Sequence, residues 1–584
     1  MKIREVVILF KKRFNLPIER PAQSIIRSFT LAERAVFYSL TTIFFLSGLF
    51  ILYRTSESFM ETVPIVGGTL REGVVGNPRF INPVLALSEA DKNLTSLIYS
   101  GLIRVSPTGE VINDLASNIE INETGLQYKV YISENAQFHD GTDVTADDVI
   151  FTISKITDPL IKSPRRGNWD GVSVEKIDER TVSFNLKRAY APFIYNLSIG
   201  ILPRHIWKNV SADEFSFSQF NTLPVGSGPY KVTSVERNEG GIPDFYRLTT
   251  FDNVIGKVPY IENIIFRFFP SEKVLIDAYN GKVIDAMGGL APEKVADLKI
   301  ESGTIYSSPL SRIFGVFFNQ NQAKIFLDNN VRKALELSAP KNSIVDLVFQ
   351  GYADKIDGPL PAGIYSWTSP SESNEAEDYE RATKLLSDSN WVRNTETGVL
   401  EKTNGSAKIQ LSFSISTGDA PELQDVATKV KESWEKLGAL VTILTFETGE
   451  LNQNVIRPRS FDSLLFGEMI GRDADLYPFW HSSQRNDPGL NIALYTNSKA
   501  DKLLDLVRTE RDITKTENLH KEFVSEIKKD VPAVFLYTPR YLYILPNKVR
   551  NVELGFLSVA QDRFAGVRDW YIEEDRVWRV FLDN

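Results

Sequence analysis

The chain has 584 residues, 42% of them hydrophobic and 24% charged, with a net charge of −9 and no cysteine. That length exceeds what one hydrophobic core supports, so two or three globular units are expected, and the ordinary composition excludes a disordered or fibrous chain. The missing thiols exclude disulfides, thiolate metal sites, a cysteine nucleophile and lipid attachment through cysteine, while the acidic balance argues against a nucleic-acid partner, which calls for clustered Lys and Arg.

Residues 35–53 run for nineteen positions without a charge, bracketed by Arg34 and Arg54. As a helix they reach roughly 28 Å, near the thickness of the bilayer hydrocarbon, which predicts a transmembrane helix. Residues 1–34 hold eight basic and three acidic side chains, a net +5, and such a tail belongs on the cytoplasmic side. The remainder, at −14 by the same count, is expected outside the cytoplasm, making a single-pass protein of the cell membrane. A cleaved signal peptide is the competing reading. The run is longer than a signal core and no A-x-A site follows it, which favours an uncleaved anchor. Residues 6–10, beside Lys11, Lys12 and Arg13, suit a short interfacial helix and are too few to span.

Residues 54–66 are polar and weakly patterned, and read as a linker. A first strand is expected at 67–73 and a helix with apolar spacing at 90–102, followed by a turn at Pro107-Thr108-Gly109. A β-rich stretch comes next, with strands at 128–132 and 181–186, the latter pairing with 172–174. Between them Thr145 is placed to cap a helix whose first turn holds Asp147 and Asp148. Residues 224–231 form a turn entering a strand. Residues 328–338 and 342–349 pair as helices closed by Gly351. A strand at 409–415 precedes a helix at 421–437, whose apolar residues Leu423, Val426, Val430, Trp434 and Leu437 are spaced 3, 4, 4 and 3 apart. Gly438 stops that helix and 440–444 is the next strand, so the segment is a βαβ unit with a parallel sheet. Strands return at 533–537 and 541–545.

The chain shows little that points to catalysis. His139, His205, His481 and His520 have no metal-ligand spacing, both Gly-Lys pairs lack the upstream glycine of a phosphate loop, and no G-x-S-x-G elbow is present. No catalytic residue, cofactor or metal site is expected. Carboxylate pairs such as Asp147-Asp148 and Asp473/Asp475 have the chemistry for acid–base work, but Asp147-Asp148 suits a helix start and nothing else in the chain recommends catalysis.

Several words carry more information than their composition. Phe138-His139-Asp140-Gly141-Thr142 leads into Thr145-Ala146 and Asp148-Val149. Gly226-Ser227-Gly228-Pro229-Tyr230, Val331-Arg332-Lys333-Ala334-Leu335, Ala382 with Lys384-Leu385-Leu386, and Asn491, Tyr495, Asn497 and Asp501-Lys502-Leu503 follow in that order. Together with Gly471-Arg472-Asp473-Ala474-Asp475 they resemble the family 5 extracytoplasmic solute-binding proteins of ABC importers, the oligopeptide, dipeptide and nickel class. The resemblance implies an α/β fold of two lobes, periplasmic-binding-protein type II-like (cluster C), with an extra β-rich subdomain. Lobe I would comprise residues 67–302, with the β-rich subdomain at about 106–222, and the return from 540 onward; lobe II would be 303–539.

The same resemblance implies a peptide enclosed as the lobes close, an ABC permease with its ATPase subunits as partners, a monomer, and no covalent chemistry. Asp475 stands where an Asp of the peptide-binding relatives takes the ligand's α-ammonium, with Asp473 as close competitor. Tyr477 and Trp480 are candidates for side-chain pockets, and Arg457 and Arg459 for meeting a terminal carboxylate. Gly141 and Gly228 are expected to supply turn geometry. The chain departs from the pattern at Ser338-Ala339-Pro340-Lys341, where A-I-D-R is common, at Asn390-Trp391, where Gly-Trp is common, and in lacking the lipid-bearing Cys. The alternatives are a non-peptide ligand on the same fold (a nickel chelate, an opine or an oligosaccharide) or a surface receptor without a transporter.

Overall fold

In the computed structural model, which describes residues 28–368, 374–404 and 407–582, the uncharged run is the middle of one 28-residue helix, Leu31–Ser58. The basic residues up to 27, and with them the interfacial helix expected at 6–10, lie outside the described residues. Thr30 starts the helix: its hydroxyl accepts from Glu33 N and its own N–H donates to Glu33 Oε2 at 2.8 Å, which satisfies two of the end's open positions. Thr41 and Thr42 donate their hydroxyls back to the carbonyls of Phe37 and Tyr38, so neither leaves a polar group unmatched among apolar side chains. No residue of this helix is buried.

The linker expected at 54–66 is structured instead. Ser58 ends the helix, and Met60–Ile65 forms a strand that pairs with the C-terminal strand Glu573–Trp578. Polar composition concealed this because the pairing partner lies more than five hundred residues away in sequence. Among the described residues, those up to 65 and from 574 onward form one unit, and those between 66 and 573 form another.

The larger unit is organised by a mixed sheet of 12 strands among the described residues. Its seam is the strand Ala533–Pro546. The N-terminal half of this strand pairs with Arg312–Phe318, and the C-terminal half with Gly303–Pro309 and Ala286–Gly288. Beyond the C-terminal half the sheet continues through Gly67–Val75, parallel to Ile261–Phe269, and then antiparallel through Pro243–Thr250 and Tyr230–Arg237. Beyond the N-terminal half it continues through Ser463–Met469, Ser412–Gly418 and Leu440–Phe446. The chain thus crosses between two sheet halves near Leu310 and again near Pro539. Gly303–Pro309, which the boundary expected at 302/303 assigns to lobe II, hydrogen-bonds to the C-terminal half of the seam strand, on the first side.

Local expectations hold in the second half. Ser412–Gly418, the helix Pro421–Leu437 and Leu440–Phe446 form the parallel βαβ unit, and Gly438 ends the helix with φ of 114°, a conformation that glycine adopts without steric cost. Its stripe of Val426, Val430, Trp434 and Leu437 is buried in one core of this half, against Phe318, Phe326 and Phe413. A second core, around Trp480, Phe317 and Phe535, covers the other face of the sheet. In the first half, residues 106–222 contain an antiparallel four-stranded sheet in which Val172 faces Leu186 and Val174 faces Phe184.

Candidate functional site

Two of the sequence words turn out to grip one another. His139 accepts the Gly226 N–H at Nδ1 (3.3 Å) and donates from Nε2 to the Gly228 carbonyl (3.0 Å), which fixes its tautomer. Burial lowers the pKa of this imidazole to about 4, so it works as a neutral clasp. Gly141 has a φ of 85° and makes the expected turn. Gly228 does not: a Cβ there would sit 2.5 Å from the Leu97 carbonyl oxygen, and one at Gly226 would sit 2.0 Å from that of Ile98, so close backbone approach requires these glycines. The helix at 146–157 is capped as the sequence suggests, with Thr145 donating to Asp148. These words build the first half.

The loop after Ser463–Met469 brings the two aspartates to the junction of the halves. Asp475 is 7% exposed and already answered. Arg508 donates to its Oδ2 from Nε (3.1 Å) and closes an ion pair from Nη2 (3.0 Å), and the Tyr477 N–H donates to Oδ1. Tyr190, from the first half, donates to both carboxylates, at 3.3 Å to Asp473 and 3.2 Å to Asp475. The Arg508 guanidinium lies over the Tyr190 and Tyr477 rings at 5.0 and 4.2 Å. Asp473 has no ion-pair partner among the described residues, and burial, with the Asp475 charge beside it, pushes its pKa up to about 6.

Arg472, adjacent to these acids, reaches back to the first half. It donates to the carbonyls of Ser106 (3.0 Å) and Phe556 (2.9 Å) and pairs with Asp562 at 3.1 Å. His520 fixes the loop from below, its Nε2 donating to the Ala474 carbonyl and its Nδ1 accepting from the Tyr365 hydroxyl.

Two cavities open where the halves face each other. The larger, of about 630 Å³, is lined by Tyr128, Pro192, Tyr195, Tyr365, Asp473 and Arg511 among others; the smaller, of about 420 Å³, shares Tyr195 and Arg472 with it. Aromatic walls with a few polar groups suit a ligand gripped from both sides. Of the residues singled out in the sequence, Asp473 alone lines the larger cavity. Trp480 is fully buried between Phe317 and Phe535, so it packs the core and forms no pocket wall. Tyr477 stacks on His481 at 4.1 Å and faces Arg508. Arg457 is exposed, 3.8 Å from Asp487. Arg459 spends its guanidinium on the carbonyls of Ile456, Arg485 and Gly489, which hold the neighbouring loop. Neither arginine lines either of these two cavities. Tyr190, Tyr195, Arg472 and Arg508 escaped the sequence reading; Arg472 alone lies inside a recognised word.

Residues 110–487 match the model of the bacterial extracellular solute-binding proteins, family 5. The chain belongs to this family. Among its curated relatives is the oligopeptide-binding protein AppA of Bacillus subtilis, 28% identical over 502 residues, covering 84% of this chain and 89% of that one. The probable D,D-dipeptide-binding periplasmic protein DdpA of Escherichia coli is 22% identical over 503 residues, covering 82% and 90%. The structure of Bacillus subtilis AppA in complex with a nonapeptide superposes with a TM-score of 0.63 at 26% identity, covering 88% of this chain and all of that one. HbpA2 of Haemophilus parasuis gives 0.72 at 20% identity over 84% and 98%, a likeness of fold. The family-5 fold is therefore that of the two-sided sheet and facing cavities described above.

Proposed function

We propose that this protein captures peptides in the cleft between its two sheet halves and presents them, unchanged, to an ABC permease and its ATPase subunits. The observation that carries the reading is Asp473, a half-buried carboxylate that faces the larger cavity with no ion-pair partner among the described residues. A peptide's α-ammonium would supply that cation, and a buried pair of this kind stabilises binding when water is excluded and its hydrogen bonds are filled. Asp475, tied to Arg508, would orient the loop. The names of the relatives, an oligopeptide-binding and a D,D-dipeptide-binding protein, support the ligand class. The helix Leu31–Ser58 would be an uncleaved anchor with the chain before it cytoplasmic, keeping the binding unit near the permease at raised effective concentration.

Native mass spectrometry of the full chain purified in detergent tests this. Co-purified peptides would appear as a ladder of masses that collapses when the protein is exchanged into peptide-free buffer. A single non-peptide mass, or clean cleavage of an added peptide pool, would overturn the reading.

A further inference from the structure

The smaller cavity holds more positive charge than the protein answers. Five cationic side chains line it: Lys92 from the helix Glu89–Ile98, Arg104 from the strand Ile103–Val105, Arg165 from the loop before Trp169, and Arg472 and Arg568. The two carboxylates in its wall are taken, Asp562 by Arg472 and Asp114 by Arg568, each at 3.1 Å. Lys92, Arg104 and Arg165 have no side-chain hydrogen bond, ion pair or ring contact among the described residues. All three are half-buried, and burial holds each below its ordinary pKa, helped by repulsion from Arg165 and Arg312 at Lys92 and from Arg568 at Arg104, and opposed by carboxylates beyond ion-pair distance: Glu89 and Asp91 at Lys92, Asp114 and Asp569 at Arg104, and Asp562 at Arg165.

A second, independent feature of the same wall points to a ligand. The Tyr99 side chain is 5% exposed and lines this cavity, yet among the described residues its hydroxyl has no hydrogen-bond partner, and the buried Thr95 hydroxyl, in the same wall, has none either. Buried polar atoms are normally satisfied, and unsatisfied ones together with three cations that have no ion-pair partner among the described residues describe a place prepared for a negatively charged group.

We propose that this cavity is a carboxylate subsite of the cleft, in which Lys92, Arg104 and Arg165 answer the charge and Tyr99 donates a hydrogen bond. The inference rests on the peptide reading above and deepens it. Tyr195 and Arg472 line both cavities, so a peptide whose ammonium meets Asp473 can run past them and place a carboxylate among the cations. That carboxylate belongs either to the peptide's C-terminus or to an aspartate or glutamate side chain. Guanidinium groups recognise both alike. Arg457 and Arg459, occupied elsewhere, leave this role to residues far earlier in the chain.

The test is calorimetry on the full chain in detergent, with penta-alanine, its C-terminal amide, and the same amide carrying glutamate at the third position. Glutarate serves as the carboxylate alone in thermal unfolding. The free acid should bind at least about tenfold more tightly than the amide if the C-terminus is the source; the glutamate amide should recover that difference if a side chain is. In the Lys92→Gln/Arg165→Gln variant either difference should shrink severalfold while affinity for the neutral amide is retained, and the ligand-free melting temperature should be equal or higher because half-buried cations without ion-pair partners have been removed. Equal affinities for all three peptides, an undiminished difference in the variant, or a lower ligand-free melting temperature would overturn the subsite. If no peptide binds yet glutarate stabilises the parent and not the variant, the subsite stands and the peptide reading falls. If neither peptides nor glutarate act on the parent, the subsite falls.

Discussion

Asp473 and Asp475 lie two residues apart on one loop and have opposite electrostatic circumstances. Asp475 is balanced by Arg508 within its own half, whereas Asp473 has a shared tyrosine hydroxyl and a nearby negative charge. Because burial raises the Asp473 pKa to about 6, the folded, ligand-free protein holds this proton more tightly than the unfolded chain does. Its ionisation therefore costs stability: the contribution is most favourable at low pH and is lost as pH rises from the ordinary aspartate range to about 6. An ammonium in the cavity reverses the preference, since it favours the ionised form. Affinity for a free-amine peptide should thus fall as pH drops below about 6, and Asp473→Asn should abolish that dependence. At neutral pH the same substitution should cost about 2–5 kcal/mol of binding, the range for removing one partner of a buried charge pair. Asp475→Ala should instead act on stability, costing about 1–3 kcal/mol in thermal unfolding by stripping Arg508 of its charged hydrogen bonds. Calorimetry over a pH series reads the first effect, and an unchanged pH profile in Asp473→Asn would exchange the roles of the two aspartates.

At the scale of elements, what the sequence reveals is what repeats over short distances. The apolar spacing of Val426 to Leu437 and the stop at Gly438 mark a helix without help from the rest of the fold, and the adjacent strands follow. The strand Ala533–Pro546 reads as two because Pro539 interrupts it, yet in the fold Pro539 sits where the strand passes from one sheet half to the other, and its missing N–H breaks neither ladder. Pairings across long sequence separations leave no local mark, and the site depends on them: Arg472 meets Asp562, and Tyr190 meets Asp473. Arg457 and Arg459, near the aspartates in sequence, turn to the loop at 485–489 instead: Arg459 donates to the Arg485 and Gly489 carbonyls and Arg457 lies by Asp487.

The most deeply buried ion pair among the described residues is another such long-range link, Arg563 with Glu72. Its Nη2 pairs with Glu72 Oε1 at 2.9 Å, its Nη1 donates to Asn93, and the Tyr543 hydroxyl donates to Glu72 at 2.8 Å. This ties the first strand of the sheet, the helix Glu89–Ile98 and the seam strand to the segment at 560–569. Arg563→Met strands a buried carboxylate and should cost about 3–5 kcal/mol in urea unfolding, whereas Glu72→Leu/Arg563→Met should recover most of that loss. Equal losses in the single and double variants would show that packing, and not the stranded charge, sets the cost.

For the molecule as a whole, the open question is which side of a membrane the binding unit occupies, and charge and length bear on it together. Arg34 and Arg54 bracket a stretch of helix roughly 30 Å long, which matches the bilayer hydrocarbon, and the helix continues a turn beyond Arg54 to Ser58. The net charge of +5 before it should hold the N-terminus in the cytoplasm, because moving that many cations outward opposes the positive-inside bias. The absence of cysteine makes the prediction clean, since any introduced thiol is the only one in the chain. Ser173, exposed on the strand Val172–Asp178, and Ser24, before the helix, are suitable positions. In intact spheroplasts a membrane-impermeant maleimide should label Ser173→Cys and spare Ser24→Cys until the membrane is permeabilised, and both variants should stay with the membrane through an alkaline carbonate wash. Labelling of Ser24→Cys in place of Ser173→Cys would invert the orientation. A mature protein released by the wash and lacking the first residues would make the helix a cleaved signal, and capture near the permease would then require some other tether.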